Sequence, residues 1–166
     1  MADYSVTAPA ESHESFYFTK KYIGSFNNEI YMTLDEWVIM YSPRESDELL
    51  LQMDIEGGEY EVIMNASESL LKRFRIIVIE FHNLDELWNQ SYFEIANRVF
   101  EKLLKTHTVV HHHPNNCESA IKMKGLEIPR LSEFTFLRKD RVKNPGFVKN
   151  YPHKLDRDNT TNHTLL

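Results

Sequence analysis

The sequence predicts an α/β fold built on a parallel sheet, and three features carry that prediction. Leu49–Ile55 (LLLQMDI) and Arg75–Phe81 (RIIVIEF) are almost continuously apolar, as strands are when helices cover both faces of a sheet. Between them, EYEVIMNASESLLKRF places Tyr60, Ile63, Met64, Leu70, Leu71 and Phe74 at roughly helical spacing. The unit reads strand–helix–strand, with a crossover expected to be right-handed. Downstream, Tyr92, Ala96, Val99 and Leu103 keep the spacing of an amphipathic helix over Ser91–Lys105, with its apolar stripe facing the sheet.

The remaining elements follow in chain order. Residues 1–15 are small and polar, with Pro9 inside, and read as a loop. Phe16–Phe18 and Lys21–Ile23 are short apolar fragments closed by Gly24, and Asn27-Asn28 mark a turn before an extended Ile30–Met32. Thr33 and Glu36 have the spacing of a capping box, in which each side chain satisfies the other residue's free N–H. Leu34, Trp37, Val38 and Tyr41 continue that helix, and Ser42-Pro43 ends it because proline lacks the N–H a helix needs. Ser91 and Glu94 form a second predicted capping box. Thr106–His111 is a predicted strand. Glu133–Arg138 (EFTFLR) is another, and its clean alternation predicts an antiparallel or edge position. From Asp140 the chain is polar, with Pro145, Gly146 and Pro152. Residues 1–140 are therefore expected to form one domain, and 141–166 a loose tail.

Composition narrows the function. The 166 residues include 19 basic and 25 acidic side chains, a net charge of −6, which argues against the clustered basic face that nucleic acid requires. The single cysteine, Cys117, excludes an intrachain disulfide and fits a reducing compartment. The longest strongly apolar run is Ile76–Ile79, far short of the roughly 20 residues of a membrane helix. The first fifteen residues show no basic segment followed by an apolar one, so no secretory signal is visible. A cytoplasmic chain without membrane or nucleic-acid partners is the expectation.

Polar residues gather where such folds keep their sites, at the carboxyl ends of strands. The first apolar strand runs into Asp54-Ile55-Glu56-Gly57-Gly58-Glu59, and the second into Glu80-Phe81-His82-Asn83. The strand at 106–111 runs into His111-His112-His113-Pro114-Asn115-Asn116. A structural reading exists for part of this. Gly57-Gly58 permits a tight turn, and Glu56 and Glu59 suit the positive end of a helix. Asp54 and Glu80 are harder to dismiss, since a carboxylate ending an apolar strand loses solvation and needs a partner or a function. Asp54, Glu80, His82 and His113 have the mixed O/N chemistry of divalent-ion ligands, though no short ligand motif such as HExxH is present. There is no G-x-S-x-G elbow for a serine hydrolase.

Taken together, MDIEGGEYEVI, RFRIIVIEFH, HHHPNNC and IPRLSEFTFLRKD, with YMTLDEWV upstream, resemble the FkbM-type S-adenosylmethionine-dependent methyltransferases over residues 16–141. The most specific part is the D-x-E-G-x-E element, here Asp54 to Glu59, followed by I-x-E-x-H from Ile79. The resemblance implies a Rossmann-like class I methyltransferase sheet of strand order 3-2-1-4-5-7-6. Leu49–Ile55 would be its fourth strand, Arg75–Phe81 the fifth, Thr106–His111 the sixth and Glu133–Arg138 the antiparallel seventh. It also implies S-adenosylmethionine as cofactor, with a small-molecule or glycan-like hydroxyl acceptor.

The family's first strand ends in a glycine-rich loop that cradles the cofactor. The glycines here are Gly24, Gly57, Gly58, Gly125 and Gly146, and none makes G-x-G. The opening Met1–Val6 resembles the end of the second strand, where Asp3 would bond the cofactor ribose. The expectation is thus a partial, N-terminally truncated domain that starts within the second strand and lacks the first. Its fourth strand would be left as an exposed edge open to self-association. By position in the fold the resemblance implies, His82 is the expected base for the acceptor proton. Glu80 would orient the ring or act as base itself, Asp54 would lie near the cofactor's amino group or the acceptor as a further catalytic residue, and Glu56 would lie near the cofactor. His113, Asn115 and Asn116 would hydrogen-bond the acceptor. Two other functions remain open: a non-catalytic half-fold interaction subunit, and a metal-dependent α/β hydrolase using Asp54, Glu80 and His82.

Overall fold

The computed structural model describes residues 1–149 and 151–161. Its centre is a four-stranded sheet of order β3–β4–β8–β5. The strands are β3 (Leu49–Met53), β4 (Phe74–Phe81), β5 (His107–Pro114) and β8 (Ser132–Arg138). Near the N-terminus, β1 (Tyr22–Gly24) and β2 (Tyr31–Thr33) form a short parallel pair. A hairpin of β6 (Ile121–Met123) and β7 (Leu126–Ile128) sits between β5 and β8. The strand order equals the 4-5-7-6 half of the order that the family resemblance implies.

β3 and β4 are parallel, Leu51 opposite Ile77 and Met53 opposite Ile79. β8 runs antiparallel to both β4 and β5, as its alternating pattern predicts. The crossover from β3 to β4 is made by two short helices, α2 (Glu59–Asn65) and α3 (Glu68–Arg73). The chain breaks between them at Ala66, and the Ser67 hydroxyl accepts the Leu70 N–H to start α3. α1 (Leu34–Tyr41) begins where the sequence places it, with Thr33 Oγ1 accepting the Glu36 N–H at 3.3 Å. The return bond of a full capping box is absent. Asn27 Oδ1 accepts the Thr33 N–H instead.

Three expectations are corrected. First, the strands are not buried on both faces. Leu51, Met53, Ile77, Ile79, Phe81 and Phe136 are buried on one face against the helices. Leu50, on the other face of β3, is 62% exposed. Second, α4 (Gln90–Thr106) is capped by Asn89, not by a Ser91–Glu94 box. Asn89 Oδ1 accepts from the Ser91 and Tyr92 N–H groups. Third, the strand expected at 106–111 extends to Pro114, so the histidine run lies within β5 and not beyond it. The hairpin β6–β7 was not expected. Lys124 and Gly125 turn it, both at positive φ.

On the side of β3 away from β4, no strand pairs with it among the described residues. An apolar groove of about 320 Å³ runs there, between Met1, Phe16 and Tyr17 on one side and Trp37, Tyr41 and Leu50 on the other. The tail turns back on β5. Asp156 reaches His111, Arg157 O lies 3.0 Å from His113 Nε2, and Asn116 bonds Thr160. Asn150 and residues 162–166 of the expected tail lie outside the described residues.

Candidate active site

Parallel pairing of β3 and β4 brings the ends of both strands to the same edge of the sheet. Asp54 follows the last residue of β3, while Glu80 is the penultimate residue of β4, just before the fully buried Phe81. His82 comes next and is 92% buried in terms of its 8% exposure. Its backbone is fixed by two tyrosines. Tyr60 and Tyr92 each donate a hydroxyl hydrogen bond to His82 O at 3.0 Å. Burial raises both phenols above their ordinary range, so both stay protonated donors.

The chain is bent sharply on both sides of the site. Asn83, just after His82, has a left-handed φ of 58°. Glu56 and Gly57 have φ of 56° and 101°, and a Cβ on Gly57 would lie 3.3 Å from Asn83 Nδ2. A non-glycine residue at positive φ is uncommon and stores backbone strain. Here two such residues, on two loops, flank one histidine.

Four carboxylates surround the His82 ring. Nδ1 lies 3.2 Å from Glu59 Oε1. Nε2 lies 3.4 Å from Glu56 Oε2 and 3.9 Å from both Asp54 Oδ1 and Glu80 Oε2. The buried Nδ1 has no hydrogen-bond partner in spite of that contact. Glu59 is fully buried; its Oε1 accepts the Ile55 and Gly57 N–H groups at 3.1 Å each, and its Oε2 has no partner. Glu80 Oε1 accepts from Asn115 Nδ2 at 2.6 Å. Among the described residues, no lysine or arginine pairs with any of the four.

Residues 2–121 match the family model described as the methyltransferase FkbM domain. The chain belongs to the FkbM methyltransferase family. No curated protein and no solved structure matches it. For an FkbM methyltransferase the cluster at Asp54, Glu80 and His82 lies where an α/β sheet places its chemistry. No helix of the described residues is long and apolar enough to cross a membrane.

Other residues singled out in the sequence separate into two groups. Asn115 supports the cluster through its bond to Glu80. Asn116 is buried and bonds the tail at Thr160. His113 does not converge with Asp54, Glu80 and His82. It groups with His111 and Asp156 on β5 and the tail, and its Nε2 faces Arg157 O. His112 is stacked on Phe134 with ring centroids 4.4 Å apart. Asp3 stands apart as well: its carboxylate accepts from the Ser5 N–H and hydroxyl at 2.7 Å each.

Glu80 does not sit tightly on the ring it was expected to orient. Glu59 does, and its place in the site was missed. Its signal in the sequence was weak, because a glutamate opening a helix has an ordinary electrostatic explanation. The clue was its position just past a strand end and a Gly-Gly turn, where its carboxylate could only fold back toward that strand.

Proposed function

We propose that this protein serves S-adenosylmethionine-dependent O-methyl transfer, with Asp54, Glu80 and His82 on the acceptor side of the site. One observation carries the reading. A buried histidine with no hydrogen-bond partner for its Nδ1 stands among four carboxylates at adjacent strand ends, in a chain of the FkbM family. The bound cofactor supplies an electrophilic methyl group. The chain's own residues hold the acceptor hydroxyl in line and draw off its proton, which is work of orientation and proton transfer. The carboxylates and imidazole gathered at these strand ends receive that proton. Asn115 fixes the Glu80 carboxylate, and Tyr60 and Tyr92 fix the backbone at His82. A polyhydroxylated small molecule or glycan-like acceptor suits so many anionic acceptor oxygens, each able to take a hydroxyl hydrogen bond.

The residues present fit only part of the cofactor. Asp54 and Glu56 can meet its ammonium and ribose groups, but the chain has no G-x-G loop whose backbone could approach the methionine part. The open edge of β3 lies beside this end of the sheet. We infer that a further strand, paired there, completes the cofactor side. The same edge is where two copies of the chain would associate, and sedimentation that finds only monomer would remove self-association. The function is tested with radiolabelled S-adenosylmethionine and a panel of hydroxylated acceptors, using the form whose sheet is complete. His82→Ala should keep cofactor binding and lose turnover. Unchanged turnover would take His82 out of the site.

A further inference from the structure

We infer that Asp54, Glu80 and His82 form a binding site for a divalent first-row transition cation. Three observations lead there. The first is charge. Asp54, Glu56, Glu59 and Glu80 approach one imidazole, and no lysine or arginine among the described residues pairs with them. Anionic groups held this close repel one another, and a cation is the economical way to offset that repulsion.

The second is the histidine. His82 is nine-tenths buried, its Nδ1 makes no hydrogen bond, and its Nε2 lies 3.9 Å from Asp54 and from Glu80 and 3.4 Å from Glu56. A buried imidazole normally finds a partner, and ligation by a metal through Nε2 would supply one. Glu59 Oε1 lies 3.2 Å from Nδ1, within reach of the Nδ1–H of a ring that ligates through Nε2.

The third is distance. Separations of 3.9 Å from Nε2 to each carboxylate oxygen are too long for hydrogen bonds. Ligands at about 2.1 Å from a common ion lie about 3–3.5 Å from one another. The Asp54, Glu80 and His82 ligand atoms all lie within 4.8 Å of one another, so small side-chain rotations close them around an ion. Asn115 already holds the second oxygen of Glu80. Two carboxylates and one imidazole, with Glu56 at the rim, are a mixed O/N set that favours Mn2+, Fe2+ or Zn2+ over Mg2+ or Ca2+.

The site stands on this geometry alone. Its use rests on the methyl-transfer reading. An acceptor hydroxyl bound to the cation would ionise more readily; its proton would pass to the exposed Glu56 carboxylate, and its oxygen would bond to the methyl carbon as the methyl–sulfur bond of the cofactor breaks, the electron pair staying on sulfur and the thioether leaving. His82 is then a ligand, and the cation takes over the pull on the proton.

Calorimetric titration of the 166-residue protein with MnCl2, without cofactor or acceptor, tests the site. One equivalent should bind, and His82→Gln and Glu80→Gln should each weaken binding at least about tenfold. His113→Gln, in the separate His111–Asp156 group, should leave it unchanged. Pulsed electron paramagnetic resonance on the unaltered protein reads the same point without a variant that might misfold: the bound Mn2+ should show coupling to a histidine nitrogen. Absence of Mn2+ binding overturns the inference. So does bound Mn2+ without nitrogen coupling, and so does binding that His113→Gln abolishes and His82→Gln leaves intact. Because no methyl transfer is measured, failure of this test leaves the proposed function standing. An inactive enzyme that still binds the cation would count against that function alone.

Discussion

Glu59 ties down the loop after β3. Its Oε1 accepts two partly buried backbone N–H groups, from Ile55 and Gly57. Glu59→Ala would leave both donors unpaired and is expected to cost about 2–4 kcal/mol in urea unfolding. Glu59→Gln keeps an acceptor oxygen and relieves like-charge crowding, so it should cost less than about 1 kcal/mol. Equal losses in the two variants would contradict this account of the loop. His107 gives a second prediction at this scale. It is fully buried, with Nε2 donating to Phe74 O at 2.9 Å and Nδ1 accepting from Thr106 Oγ1 at 2.8 Å. Burial holds its pKa below the ordinary histidine value. The unfolded chain therefore takes up a proton near pH 6.5 while the folded chain does not. Stability should be full above about pH 6.5 and fall as pH drops toward the folded-state value. His107→Gln should flatten that slope when unfolding is followed against pH. His112, also lowered by burial, contributes a slope of the same sign, so flattening should be partial. The sequence showed Asp54 and Glu80 as chemistry-bearing because each is a carboxylate at the end of an apolar run, and His82 through its place in the fold the resemblance implies. It could not show Glu59 or Asn115 as their supports, because those contacts depend on how two loops fold back.

The elements differ in how much of their logic is local. β3 and β4 were legible because a run of apolar residues between polar turns leaves few alternatives. The expected burial of both faces did not follow, because an apolar run says a strand is apolar and not what lies across from it. α4 was legible along its length, since Ala96, Val99 and Leu103 repeat every three or four residues and are buried. Its start was not. Asn89 and Ser91 are both good cap residues, and the choice between them depends on the entry of the chain from the 3-10 turn at Leu84–Trp88. Asn89→Ala should cost about 1 kcal/mol in thermal or urea unfolding, and Ser91→Ala less than about 0.5 kcal/mol. The reverse order would restore the Ser91 cap. The break between α2 and α3 has the same character: Ser67 caps a new helix, and helical spacing alone runs through it without a signal.

Across the whole molecule, the sheet order β3–β4–β8–β5 joins one parallel pair to two antiparallel ones. Its helices bury one face, and the site sits at the ends of the parallel pair. The order was legible through the family resemblance, and the strand pattern added the parallel pair and the antiparallel last strand, while the return of the tail onto β5 carried no sequence signal beyond polarity. Under the proposed function this chain is the acceptor side of a methyltransferase sheet, and a strand added at the open edge of β3 would complete the cofactor side. Calorimetric titration of the 166-residue protein with S-adenosylmethionine tests that claim most directly. Binding weaker than about 1 mM is the predicted result, and saturable binding at about 1 μM would contradict it.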